Sequence, residues 1–236
     1  MNTDAIRAAL PDRSIDYYST IDSTMRAAAG LPIGSVVLAG EQTAGQGRHG
    51  HAWHSEPGAG IYCSIVLAPS PVLTLALGLA VAEGIEETTG LACDLRWPND
   101  VMLAGKKCAG ILVQLVDGFA IAGIGINVSH AGFPPELVAE ATSLQIQTDR
   151  EVCPTQIVIA LIQAVDRFAA LPQDAVLDLF THASSYASGR RVVVHQPDGD
   201  ICGVTAGLDA SGFLKVRKDD GTYTLILAGG VRAASS

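Results

Sequence analysis

The segment Arg96-Trp97-Pro98-Asn99-Asp100, followed by Lys107-Cys108-Ala109-Gly110-Ile111-Leu112-Val113, constrains the fold more than any other stretch. Pro98 lacks an amide N–H, has a fixed φ and disfavours helix at Trp97, so no helix can run through this segment. The chain must approach Trp97 extended, which places Asn99 and Asp100 at a strand end where their side chains can face a ligand. Lys107 then opens a new strand of apolar residues. Polar groups of both signs beside buried strands are costly to keep. Chemistry at this point of the chain accounts for them.

The surrounding pattern predicts an α+β fold, a mixed β-sheet with flanking helices. Strands are expected over 35–42, 61–67, 94–97, 110–116 and 119–128. A short helix over 25–29 has Asp22, Ser23 and Thr24 as N-cap candidates and Gly30 as a left-handed stop. A long apolar helix is expected over 71–89, ended by Gly90, and further helices over 154–171 and 174–183. Beyond Gly189 the pattern changes to short strands over 191–195, 201–208, 213–217 and 222–227. Turns at Pro197-Asp198-Gly199-Asp200, Ser211-Gly212 and Asp219-Asp220-Gly221 separate them. The division implied is a main domain over 1–187 and a small β domain over 188–236.

A chain of 236 residues with 48% hydrophobic content suits that organisation. Its net charge of -9 argues against broad nucleic-acid binding, which relies on many Lys and Arg contacts to phosphate. There is no apolar run of the roughly 18 residues a membrane span needs and no secretory leader pattern. A soluble, cytoplasmic protein without membrane or DNA partners is expected. Four of the five cysteines lie in apolar segments and read as small buried hydrophobes in a reducing compartment. His49, His51 and His54 have no Cys or Asp beside them, so solvated or anion-facing imidazoles are the reading preferred to metal ligation.

Gly45-Gln46-Gly47-Arg48-His49-Gly50 spells a dinucleotide-binding fingerprint. That motif works only where a helix starts within it and presents its N-terminus to the pyrophosphate. Here His51 to Gly60 follow, rich in Gly, His and Pro, and then a strand, so the Rossmann reading is set aside. A loop whose glycines let backbone N–H groups approach an anion fits better, with Arg48 as a planar fork and Trp53 as a flat surface for a ring. A surface loop with an incidental arginine stays open beside it. In Gly123-Ile124-Gly125-Ile126-Asn127-Val128 the glycines permit close backbone approach, for packing or for a ligand, and Asn127 ends the strand.

Taken in order, Ser23-Thr24, Gln42, Gly45-x-Gly47-Arg48-x-Gly50-x-x-Trp53, Trp97-Pro98-Asn99-Asp100, Lys107-x-Ala109-Gly110-Ile111-Leu112 and Gly125-Ile126-Asn127 resemble the biotin protein ligases. The C-terminal β segment is similar to the SH3-like barrel of that family. The resemblance implies the class II synthetase-like biotin/lipoate ligase fold. It also implies a reaction of biotin with ATP and Mg2+ to biotinyl-5'-AMP, then transfer of biotin to a lysine of a biotin carboxyl carrier domain of acetyl-CoA carboxylase. Biotin's carboxylate is already ionised at neutral pH, so the first step requires alignment of two anions and relief of their repulsion, not a base.

By the same resemblance Lys107 is the central catalytic residue, supported by Arg48, with Lys106 a solvent-facing neighbour. Ser23, Thr24, Gln42, Gly45, Gly47, Arg48, Lys107 and Gly110 would bind biotin. Arg48, Trp53, Asn99, Lys107, Asn127 and Arg232 would bind ATP. Asp100 would accept a proton in the transfer step or fix the loop geometry. Ligands for Mg2+ are not identifiable, and a homodimer through a sheet edge is open. The stretch before Ser23 is too short for the DNA-binding domain of bifunctional members, so the monofunctional type is expected. Met25, Gln46 and Arg96 depart from the common pattern, where Asn or Gln, Arg, and Lys are frequent. The alternatives are a lipoate-protein ligase, whose Arg-Arg-x-x-Gly-Gly-Gly signature is missing, and a module that holds biotinyl-AMP without transferring it.

Overall fold

The computed structural model describes residues 1–196 and 199–234. Seven strands form one sheet: β1 (Ile15–Tyr18), β2 (Val36–Ala39), β3 (Gly60–Leu67), β4 (Asp94–Arg96), β5 (Asp100–Leu103), β6 (Lys106–Val116) and β7 (Phe119–Asn127). Their order is β1-β2-β3-β7-β6-β5-β4. Only β1 and β2 pair in parallel, so the sheet is mixed, with antiparallel neighbours elsewhere.

Every residue of the inner strand β3 is buried, because both faces of the sheet are covered there. On one face lie α1 (Thr3–Ala9), α3 (Leu73–Thr89), α5 (Pro154–Ala169) and α6 (Gln173–Ala183), packed on Ile61, Cys63 and Ile65. The other face carries α2 (Thr24–Ala28), where Met25 and Ala28 meet Val37, Val66 and Ile121. Helix α3 is apolar around most of its circumference because it is enclosed, and it ends as expected on Gly90 at φ 73°. A Cβ on Gly84 would stand 3.1 Å from the Leu161 amide nitrogen, so glycine lets α3 and α5 approach closely there.

Five strands form a second, antiparallel sheet: β8 (Ser188–His195), β9 (Ile201–Leu208), β10 (Leu214–Lys218), β11 (Tyr223–Ile226) and β12 (Gly230–Ala233), in the order β11-β10-β9-β8-β12. Its inward residues Val192, Leu214, Val216 and Ile226 belong to the same apolar cluster as α3 and the main sheet. One polar tie crosses the junction, and a second fixes the end of α6 to β4 just before it. Trp97 Nε1 donates to the Gly212 carbonyl at 2.9 Å, and Ser184 Oγ donates to the Leu95 carbonyl at 2.6 Å. No described helix is long and apolar enough to cross a membrane.

Several elements differ from the sequence-based expectation. The chain reverses over Trp97 to Asn99, so β4 and β5 form a hairpin that pairs Arg96 with Asp100. Asp100 therefore starts the return strand instead of ending the outward one, and Lys106, not Lys107, opens β6. Strand β1, helices α1 and α4 (Leu144–Gln147) and strand β12 escape the periodicity argument because they are short. The reading of four cysteines as buried needs correction. Cys63 and Cys108 are buried and Cys93 partly so, but Cys153 and Cys202 are exposed, one preceding α5 and one on β9. Of the turn expected at 197–200, Pro197 and Asp198 lie outside the described residues.

Candidate active site

The glycines of β6 and β7 form the floor of a narrow cleft on the α2 side of the sheet. A Cβ on Gly123 would stand 2.6 Å from Met25 Sδ, and one on Gly125 would stand 2.6 Å from Trp53 Cζ2. The bare backbone thus admits both side chains, so the glycine pattern of β7 serves the cleft. Gly110 does the same on β6, where a Cβ would lie 2.8 Å from Lys107 Cε.

At one end of the cleft, Ser23 occupies the N-cap position of α2 but its side chain caps nothing. Asp22 Oδ1 instead accepts the Ser23 amide at 2.6 Å. Ser23 Oγ is left buried without a hydrogen-bond partner among the described residues. Beside it Thr24 Oγ1 lies 2.8 Å from Ser64 Oγ, and Gln42 Oε1 accepts the Thr24 amide at 2.9 Å. Gln42 is held in turn by its amide, which donates to Ser55 Oγ at 2.8 Å. The result is a preorganised polar slot with one unused hydroxyl, a kind of buried group that in native structures marks a bound partner or a strained site.

Around this slot lies a cationic cluster. Lys107 Nζ is 2.6 Å from Asp100 Oδ1, and Arg96 Nη2 donates to Asp100 Oδ2 at 2.7 Å. Burial pushes the Asp100 carboxyl up, but the Lys107 ammonium and then the Arg96 guanidinium outweigh it and hold the group below its ordinary value. Lys107 also sits over the Trp53 ring, 5.4 Å from its centroid. Its backbone is clamped on both sides: its amide donates to the Glu140 carbonyl at 2.7 Å, and its carbonyl accepts the Thr142 amide at 2.9 Å. Lys106 Nζ bonds the Val138 carbonyl at an exposed position and does not line the cleft.

Arg48 reaches the cleft from the glycine loop, and its Nη1 donates to Asn99 Oδ1 at 3.0 Å. Asn99 is fixed by its own Nδ2, which donates to the Ile111 carbonyl at 2.9 Å. Burial lowers the Arg48 pKa and Asp100 raises it, and a guanidinium so placed stays cationic. Only a three-residue 3-10 turn, Arg48–Gly50, forms in this loop, so the dinucleotide fingerprint lacks the α-helix it requires. The Trp53 indole lies on the glycine floor, its Nε1 buried without a partner among the described residues.

Ser23, Thr24, Gln42, Gly47, Arg48, Trp53, Asn99, Lys107 and Gly110 therefore line one cleft. Four other candidate site residues do not: Asp100, which meets the cleft only through its ion pair with Lys107, and three more. Gly45 borders a separate hollow on the outer side of the loop, where its carbonyl accepts the Trp53 amide at 3.0 Å. Asn127 is buried behind the cleft and donates from Nδ2 to the Thr142 carbonyl at 3.0 Å. Arg232 ion-pairs with Glu140 at 2.5 Å. Both of the latter hold the two residues that clamp the Lys107 backbone. Arg96, Glu140 and Thr142 are the supports that sequence reasoning missed; reading the Trp97–Asn99 stretch as a hairpin turn would have paired Arg96 with Asp100, whereas Glu140 and Thr142 carry no motif.

Residues 15–130 match the model of the biotin/lipoate A/B protein ligase family, and residues 187–231 match that of the biotin protein ligase C-terminal domain. The biotin--[acetyl-CoA-carboxylase] ligase of Mycobacterium tuberculosis is 33% identical, over 92% of this chain and 88% of the relative. The bifunctional ligase/repressor BirA of Bacillus subtilis is 32% identical, over 87% of this chain and 70% of the relative. Among solved structures, the biotin protein ligase of Aquifex aeolicus in complex with biotin and ATP superposes with a TM-score of 0.83 at 28% identity, covering 94% of this chain and 99% of that one. Matched in both its parts, in fold and along nearly its whole length, the chain belongs to the biotin protein ligases.

Proposed function

We propose that the protein joins biotin to ATP, forming biotinyl-5'-AMP and releasing pyrophosphate, and then transfers the biotinyl group to a lysine amine of a biotin carboxyl carrier domain, in the cytoplasm. The observation that carries this reading is the position of Lys107: a lysine ammonium lines the same cleft as the unpartnered Ser23 hydroxyl at one end and Arg48, Trp53 and Asn99 at the other. Ser23, Thr24 and Gln42 suit the ureido edge of biotin, a small apolar bicycle that needs a narrow slot with few polar groups. Trp53 and Asn99 suit an adenine ring. A ligand carboxylate and an α-phosphate entering between them would compete with Asp100 for Lys107. In the first step the carboxylate oxygen bonds to the α-phosphorus as the bond to the pyrophosphate oxygen breaks, and Lys107 and Arg48 stabilise the negative charge that develops.

In the second step a lysine amine attacks the mixed-anhydride carbonyl, the new C–N bond replaces the bond to the phosphate oxygen, AMP leaves, and the amine's proton passes to solvent. Asp100, ionised and held low by two cations, is a weak proton acceptor. Its role in this reading is to orient Lys107 and Arg96, not to take the amine's proton. Asn127 and Arg232 act from behind, through Thr142 and Glu140, and Gly45 shapes the loop. No carboxylate lines the cleft among the described residues. The cleft therefore offers Mg2+ no oxygen cage of its own, and the ion would enter on the phosphates of ATP. In this reading the chain divides into a catalytic unit over 1–187 and a β unit over 188–236, a division supported by the two separate sheets. A homodimer through a sheet edge stays within this reading.

A pyrophosphate-release assay with ATP, Mg2+ and either biotin or lipoate tests the assignment. Release with biotin alone is expected. A preference for lipoate would move the chain to the lipoate branch of the family, and binding of biotinyl-AMP without turnover would make it a holding module.

A further inference from the structure

His54, Glu56 and His130 bring two imidazoles and a carboxylate together outside the cleft, with their candidate donor atoms all within 4.8 Å of one another. His130 is 0% exposed; the Ala59 backbone lies close to its ring, but neither Nδ1 nor Nε2 makes a hydrogen bond of good geometry among the described residues. A neutral imidazole carries one donor and one acceptor, and leaving both buried and unmet is costly and rare in native structures. The ring is also fixed in place. It stacks on Phe133 with centroids 5.3 Å apart, while the His54 ring tilts towards it at 5.8 Å.

The backbones that present these three side chains are anchored. Ser143 Oγ donates to the His130 carbonyl at 2.7 Å, Tyr62 Oη donates to the Glu56 carbonyl at 2.9 Å, and Ser55, between His54 and Glu56, accepts the Gln42 amide at 2.8 Å. His54 is half-buried and Glu56 exposed, so the group is reached from solvent on one side and closed on the other.

We propose that His54, Glu56 and His130 form a binding site for a divalent transition-metal ion of the zinc type, separate from the Mg2+ that travels with ATP. Two imidazoles and one carboxylate, with a fourth position left for water, suit Zn2+, whereas Mg2+ prefers an all-oxygen octahedron. Tetrahedral Zn2+ with bonds of about 2.0–2.2 Å sets its donors roughly 3.4 Å apart, so a small rotation of the His54 and Glu56 side chains completes the site. An ion there would tie the end of the glycine loop to the segment after β7, directly behind Gln42 and the cleft. His49 and His51, both exposed, take no part.

The test uses the full chain, stripped with a chelator and dialysed, and titrated with ZnCl2 in a calorimeter and with CoCl2 by visible absorption. Expected are one Zn2+ per chain, an upward shift of the thermal midpoint with Zn2+, and the ligand-field bands of tetrahedral Co2+. Glu56→Gln and His130→Ala should each weaken Zn2+ binding by at least about 10-fold, and His51→Ala should leave it unchanged. Glu56 is exposed, so Glu56→Gln keeps the fold, checked by circular dichroism, even if His130→Ala does not. No saturable binding of Zn2+, or binding that survives Glu56→Gln undiminished, overturns the proposal.

Discussion

The Lys107 ammonium lies 2.6 Å from the Asp100 carboxylate, which also accepts Arg96, so the cation central to the proposed chemistry stands in a pair that a ligand must open. Arg96 holds the same carboxylate through its other oxygen. Lys107→Ala should lower adenylate formation by about 10²-fold or more, the scale for losing a preorganised charge donor. Lys106→Ala, whose ammonium bonds the Val138 carbonyl away from the cleft, should stay near wild type. Pyrophosphate release under single-turnover conditions measures both, and equal losses would contradict the assignment.

Asp100 makes the acid limb of stability informative. Its carboxyl is held below the ordinary value of 3.8, so its pairs stabilise the fold fully above that pH and are lost as pH falls through the lowered value. Wild type should therefore lose part of its urea midpoint below about pH 4 through this group, and Asp100→Asn should show a smaller loss over the same interval from a lower starting midpoint. The adenylation rate of wild type should show no limb from this group between pH 6 and 8, where it stays ionised in every state, as a pH series would reveal.

Arg48 anchors the glycine loop through Asn99. Arg48→Gly should loosen retention of biotinyl-AMP, seen as faster dissociation of the adenylate and as labelling of bystander proteins. An unchanged off-rate would remove Arg48 from the site.

Arg232 and Glu140 offer a double-mutant cycle. If Arg232 acts through Glu140 on the backbone of Lys107, then Arg232→Ala, Glu140→Ala and the double variant should all lower the adenylation rate to the same extent. ATP KM should stay within about 2-fold in each, because neither residue would touch the nucleotide. A direct phosphate contact would instead give a rise in ATP KM for Arg232→Ala alone. The pair is half-exposed, so its contribution to stability should be at most about 1 kcal/mol.

Trp97→Phe removes the donor to the buried Gly212 carbonyl while keeping an aromatic ring. A cost of about 1–3 kcal/mol is expected, from the acceptor left unmet and the lost ring volume. Chemical denaturation should register it as a lower midpoint, with the adenylation rate per folded molecule unchanged.

The parts of the site that could be read in the sequence are those fixed by local covalent rules. Pro98 excludes a helix and keeps Trp97 extended, whereas the reversal that sets Asp100 against Arg96 appears only in the hairpin register of the fold. Glycines at 110, 123 and 125 announce a surface where something large approaches the backbone, although only the structure identifies Trp53 and Met25 as what fills it. The hidden parts depend on distant pairing. Glu140 and Thr142 reach Lys107 through main-chain bonds that any residue type can make. His130 meets His54 only because the segment after β7 folds back over Ala59, whose carbonyl accepts the amides of Val128 and Ser129. Asn127 and Arg232 stood out by their place in motifs, yet both are turned towards that supporting layer.

The apolar interior runs without a break from α3 and the seven-stranded sheet into Val192, Leu214 and Ile226. Trimming the polypeptide after α6 would strip one wall from that interior and lay a greasy flank of α3 open to water. A shortened enzyme would be sticky and poorly folded, so anyone seeking a compact labelling tool from this scaffold must keep its tail.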